Sequence, residues 1–256
     1  WPAPNSGTST RILKSYYSRL NYTLFDRYVF TVTGRYDGAS NFAANNKWAF
    51  FPSGAIAWNI GDEAFMKNFN PIYSMKLRTS YGLTGNQAIG AYGSLATLRS
   101  QYSIRPGEGA FILGTLANPN LTWETTSQLN VGLDVGLIDD RINFTVDYYN
   151  KLTSDLLFDR PIPSFLGVAG TATQIQNAGE VRNKGLEAAI TTRNIQRADF
   201  SWTSNFVFSM NRNEIVSLAD TVGIRYEDAP GHFNIATGFQ LLEIGALLVS
   251  LDQLND

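Results

Sequence analysis

Residues able to do covalent chemistry are few in this sequence, and nothing around them assembles a site. The one histidine, His232, lies among Asp228, Pro230 and Gly231, whereas nucleophilic catalysis needs a base fixed beside its nucleophile. Neighbouring carboxylates occur at Glu227 with Asp228 and at Asp139 with Asp140. Without a cleft such pairs serve solubility and turn formation rather than glycoside hydrolysis. Cysteine is absent, which removes thiol nucleophiles, thiolate metal sites and disulfides together. No HExxH pattern, P-loop or histidine cluster appears, and the Gly-rich run Gly38 to Asn46 has no helix start behind it to hold a phosphate. Prolines in Arg160 to Gly167 fix an extended bend. The reading is therefore of a chain with no catalytic residue, no metal ligands and no cofactor, and so not an enzyme. What remains is recognition. Tyr92, Tyr102, Phe111 and Trp123 fall in long connecting segments, where flat aromatic faces could stack on a sugar ring or pack a loop against its support; Tyr92, Tyr102 and Phe111 are taken as ligand-contact candidates.

Strands, not helices, must position these groups. Charged residues make up 16% of the 256, against roughly 25% in an ordinary soluble domain. Aromatic residues (16 Phe, 12 Tyr, 5 Trp) and 22 Gly favour strands and turns. A net charge of −2 without Lys/Arg clusters argues against nucleic acid as a partner. The longest apolar stretch, near Leu241 to Leu251, is interrupted by Glu243 and is shorter than the roughly 20 residues of a spanning helix. Trp1 to Thr10 carry no signal-peptide pattern.

Two-residue alternation is the dominant pattern. Ile142, Phe144, Val146 and Tyr148 alternate with Asn143, Thr145 and Asp147, and Leu129, Val131, Leu133, Val135 and Leu137 alternate with Asn130, Gly132, Asp134 and Gly136. Ile138 to Asp140 leaves room for a tight turn, so the two segments predict an antiparallel hairpin. Six further strands are expected at Tyr16 to Leu24, Tyr28 to Asp37, Phe51 to Ile60, Met75 to Leu83, Gly185 to Thr192 and Phe200 to Phe208, about eight in all. Connections alternate between short (Phe25 to Arg27, Gly61 to Ile72, Ile138 to Asp140, Asn194 to Ala198) and long (Gly38 to Lys47, Thr84 to Asn120, Asp159 to Gly179, and the residues after Asn211). That asymmetry is characteristic of membrane β-barrels. In a barrel the apolar face meets lipid, and Arg35, Asp37, Arg78, Asp134, Asp147 and Glu187 line the lumen. A soluble sandwich or lipocalin-like barrel would instead bury the apolar face in its core.

Five collinear segments resemble the SusC/RagA family of TonB-dependent transporters of Bacteroidetes-type outer membranes. They are Ser18 to Phe42 (SRLNYTLFDRYVFTVTGRYDGASNF), Asn45 to Asn68, Met75 to Leu98, Asn118 to Phe158 and Asn177 to Ile190 (NAGEVRNKGLEAAI). The resemblance implies an all-β fold: an antiparallel transmembrane β-barrel segment of about eight strands, part of a larger barrel of about 22 strands. By the same resemblance residues 1–212 are barrel strands with long extracellular loops and residues 213–256 are an extracellular loop and tail, with the plug domain absent from these residues. The implied setting is the outer membrane of a Gram-negative cell, with lipid outside the wall. The implied activity is TonB-dependent import of an oligosaccharide or peptide, with TonB engaged through the N-terminal part and a SusD-like lipoprotein as lid. A soluble or surface carbohydrate-binding β-domain without transport is the alternative, and a complete eight-strand barrel a third.

Overall fold

The computed structural model of the chain describes residues 8–67, 71–102, 109–166, 168, 173–197, 199–217, 240–244 and 248–251. Alternating sequence becomes strand because successive side chains point to opposite faces. In chain order the strands are β1 (Leu13–Leu24), β2 (Tyr28–Ala39), β3 (Trp48–Asn59), β4 (Ile72–Asn86), β5 (Thr97–Tyr102), β6 (Gly109–Thr115) and β7 (Glu124–Leu137). They continue with β8 (Ile142–Ser154), β9 (Leu157–Pro161), β10 (Thr173–Asn177), β11 (Glu180–Gln196), β12 (Ser201–Ser217), β13 (Gln240–Ile244) and β14 (Leu248–Leu251).

One sheet runs β1-β2-β3-β4-β7-β8-β11-β12, and both β13 and β14 pair with the far edge of β12. All of its pairings are antiparallel. The eight long strands are the eight read from alternation. β5 with β6, and β9 with β10, form separate two-stranded ribbons inside the long connections, where the sequence reading had placed plain loop.

Four connections share one rim: 25–27, 60–71, 138–141 and 197–200. Two of them are tight for a visible reason. Phe25 and Asp26 have φ of 52° and 56°, and Arg27 N–H bonds Leu24 O at 3.1 Å, a type I′ turn matched to strand twist. Asp139 and Asp140 (φ 53° and 58°) repeat this under Arg141 N–H and Ile138 O at 3.0 Å. The carboxylate pair noted in the sequence is thus turn chemistry. Two expectations need correction. β11 continues to Gln196, so the turn expected at Asn194 to Ala198 begins later. Strict alternation of short and long also fails, since 60–71 exceeds 40–47; Glu63 in the longer one reaches back to the strand ends, as described below.

The buried core does not lie between two layers. Ala39, Phe42, Phe51, Ile89, Leu121 and Trp123 form one cluster at the opposite, long-loop rim.

Candidate functional site

Register partners share a face and stand side by side, so the pairing can be followed across the sheet. Phe30, Ile56, Thr79, Val131, Tyr148, Leu186 and Met210 form one continuous row. On this face Leu20, Val32 and Ile56 are 68%, 60% and 46% exposed, and among the described residues no second layer covers them. The polar face is the concave one, holding a hollow of about 780 Å³ lined by residues such as Arg19, Thr33, Arg35, Ser53, Ser80 and Asn130.

The apolar stripe does not keep to one row. On β2 it runs from Tyr28 to Tyr36. On β12 it runs from Trp202 to Met210, yet Met210 lies in the row of Phe30, six residues short of Tyr36. A drift of six residues over the six steps from β2 to β12, at about 3.3 Å per residue and about 4.8 Å between strands, corresponds to strands tilted about 35° from the normal of the band. That falls in the range of roughly 35–45° for barrels. The band is then about 22 Å tall, close to the roughly 25 Å apolar girdle of membrane barrels. Aromatic rings mark both borders: Tyr36 stacks on Trp48 at 4.9 Å and Tyr16 on Trp48 at 6.0 Å on the long-loop side, while Tyr28 stacks on Trp58 at 6.0 Å on the short-turn side.

Five of the six lumen candidates assemble into two groups on the concave face. Arg78 Nε donates to Asp134 Oδ2 at 2.7 Å, and its Nη2 donates to Asp134 Oδ1 at 3.1 Å and Asp147 Oδ1 at 3.0 Å. One guanidinium fork thus joins β4, β7 and β8, about a third of each group still open to water. Gly132 lies beneath it, and a Cβ there would meet the Arg78 guanidinium at 2.7 Å, which accounts for glycine in a strand interior. Higher on β2, Arg35 Nε donates to Asp37, with Oδ2 at 2.7 Å, and Asp37 is 1% exposed. Glu187 stays apart: exposed, beside Asp147 and Ser209 in register, with no ion pair among the described residues.

The loop aromatics divide. Phe111 on β6 is 69% exposed and Tyr92, at φ 63°, is exposed, and no ring contact joins them among the described residues. Tyr102 ends β5, its side chain outside the described residues, as are His232, Glu227 and Asp228. Trp123 packs instead: its ring lies 5.3 Å from Phe42 and 5.6 Å from Phe51, and its Nε1 donates to Lys47 O at 3.3 Å. Asparagines lace the same region. Asn41 Nδ2 donates to Ile89 O at 2.9 Å, Asn118 Nδ2 to Ile175 O at 2.8 Å, and Asn177 Nδ2 to Thr122 O at 2.8 Å while its Oδ1 accepts from Thr122 N–H at 2.8 Å. Three long connections are thereby fastened into one rim.

Sequence reasoning missed the equivalent fastening at the other rim. Glu63, in the turn 60–71, accepts from Tyr28 Oη at 2.7 Å, Trp58 Nε1 at 3.1 Å and Arg27 Nη1 at 2.8 Å. The hydrogen bond from Tyr28, then that from Trp58, then Arg27 hold this carboxyl below its usual value against the opposing effect of burial. A depressed carboxyl adds stability that is present above the unfolded value of about 4.3 and is lost as pH falls through the lower folded value. Amide protection in residues 60–67, corrected for the intrinsic slowing of exchange in acid, is therefore expected to fall as pH drops below the unfolded carboxyl value of about 4.3, and Glu63→Gln to remove most of that acid step. An unchanged pH profile in the variant would contradict the assignment.

The chain matches, over residues 2–248, the family described as TonB dependent receptor-like, beta-barrel. It is 47% identical over 232 residues to TonB-dependent receptor P3 of Formosa agariphila, covering 90% of this chain and 23% of that protein. To TonB-dependent receptor SusC of Bacteroides thetaiotaomicron it is 39% identical over 212 residues, covering 80% and 21%. The chain thus spans under a quarter of the length of these relatives. Among solved structures, the RagAB peptide transporter superposes with a TM-score of 0.80 at 28% identity over 89% of this chain and 25% of that one. The siderophore receptor PirA from Pseudomonas aeruginosa shares the fold, with a TM-score of 0.51 at 15% identity over 84% of this chain and 38% of that one.

Proposed function

The chain belongs to the TonB dependent receptor-like β-barrel family, and from that premise we propose that it forms part of the wall of an outer-membrane importer of nutrients. The observation that carries this is the tilted apolar band: eight strands in register present a stripe of bilayer height, bordered by rings, on the convex side. In hydrocarbon a strand wall is tolerated where its backbone groups are all paired, as closure into a barrel provides. A soluble carbohydrate-binding domain would need a second layer over that face, and the described residues supply none. The cargo we propose is an oligosaccharide or a peptide. The hollow lined by Thr31, Thr33, Ser53, Ser80, Gln128 and Asn130 together with Arg19, Arg35 and Asp37 suits a polar solute, and the similarity to SusC and RagAB supports the same class. The fastened long loops, with exposed Tyr92 and Phe111 on them, would face a SusD-like lipoprotein lid. Energy would arrive from TonB through a segment N-terminal to the barrel.

The test uses the intact parent protein. It is expected in the outer-membrane fraction with heat-modifiable mobility, and cells carrying it should take up a labelled oligosaccharide or peptide only while TonB is present. Recovery as a soluble periplasmic species would end the reading, and TonB-independent uptake would end the coupling.

A further inference from the structure

On the convex face, one register row beyond the long-loop border of the apolar band, the wall turns basic, and we propose that this place binds the phosphate of an anionic lipid headgroup in the outer leaflet. The inference rests on the membrane reading above. Lys184 of β11 and Arg212 of β12 are direct register partners, two residues beyond Leu186 and Met210 on the same face. Like charges directly opposite destabilise a sheet unless an anion lies between them. Among the described residues neither has a salt-bridge partner. The next row sets Arg182 opposite Glu214, so the patch carries three positive groups against one negative.

Height decides the occupant. One row is two residues, about 5 Å along the band normal at this tilt, which sets these side chains among headgroups, where long basic chains carry their charge. A planar guanidinium fork beside an ammonium suits the several oxygens of a phosphate. The patch is also continuous with a face that lipid already covers, which favours a lipid over a protein partner.

The parent protein, purified in neutral detergent and placed in nanodiscs of phosphatidylcholine with a minor fraction of phosphatidic acid, tests this. Native mass spectrometry of retained lipid is expected to show phosphatidic acid enriched on the wild type. Lys184→Gln with Arg212→Gln should cut that enrichment by roughly tenfold or more. Equal enrichment in the two proteins overturns the proposal, and so does displacement of the lipid by millimolar inorganic phosphate, which would make free phosphate the ligand. Should the double variant not assemble, Lys184→Gln is expected to lose the enrichment and Lys184→Arg to keep it; identical behaviour of these two overturns it as well. Failure to enter nanodiscs at all would strike the membrane reading itself, a distinguishable result.

Discussion

Arginine in place of Phe144 is expected to destabilise the assembled wall by about 2–4 kcal/mol, the cost of a charge on the lipid face near midplane. Phe144 stands in the row of Val135, Ile190 and Phe206, between the two aromatic borders, so the guanidinium has no short path to water. Thr145→Arg moves the same charge one residue along β8, to the concave face beside Asp134 and Ala189, and should cost far less. The folded fraction of the parent protein in lipid vesicles, titrated with urea and read by gel mobility, separates the two. Comparable losses would reverse the assignment of faces and remove the basis for membrane insertion.

Trp123→Ala should cost about 3–5 kcal/mol locally, as expected for removing a buried aromatic ring, and at a different place. Trp123 is 3% exposed and joins Phe42 and Phe51 with Leu121 and Ile89. Its loss would free the connections 40–47 and 87–123 while leaving the strand ladders paired. Hydrogen exchange is expected to rise in those two segments and not in β7 or β8, with assembly retained; Trp123→Phe should restore most of the protection. Uniform exchange across the sheet would mean that the cluster supports the wall rather than the rim.

The two results differ in how well the sequence foretold them. The facing of Phe144 and Thr145 was legible because alternation with period two is written along the chain and one face must be apolar. The same logic placed Arg78, Asp134 and Asp147 on one face. Their union was not legible, since register across β4, β7 and β8 decides which residues on that face touch. Glu63 gave no signal at all: it sits in a turn, and its partners Arg27, Tyr28 and Trp58 come from two other strand ends. Trp123 looked like Tyr92 and Phe111, an aromatic in a long loop, and the three are separated by tertiary packing that local pattern does not encode. β5, β6, β9 and β10 escaped because five to seven residues pairing with a near neighbour inside a loop need no amphipathic face. Where structure follows from solvent on two sides it could be read, and where it follows from meeting a distant residue it could not.

The drift of one residue per strand has a consequence for bore. At this slope each strand occupies about 5.9 Å of circumference. A wall continued at the same pitch to the roughly 22 strands implied by the resemblance would measure about 130 Å around and about 40 Å across between backbones. Side chains of the length of Arg78 or Tyr149 cannot bridge such an opening. Left vacant, a cylinder of that bore would pass most small solutes, so the width of such a wall cannot by itself select among them.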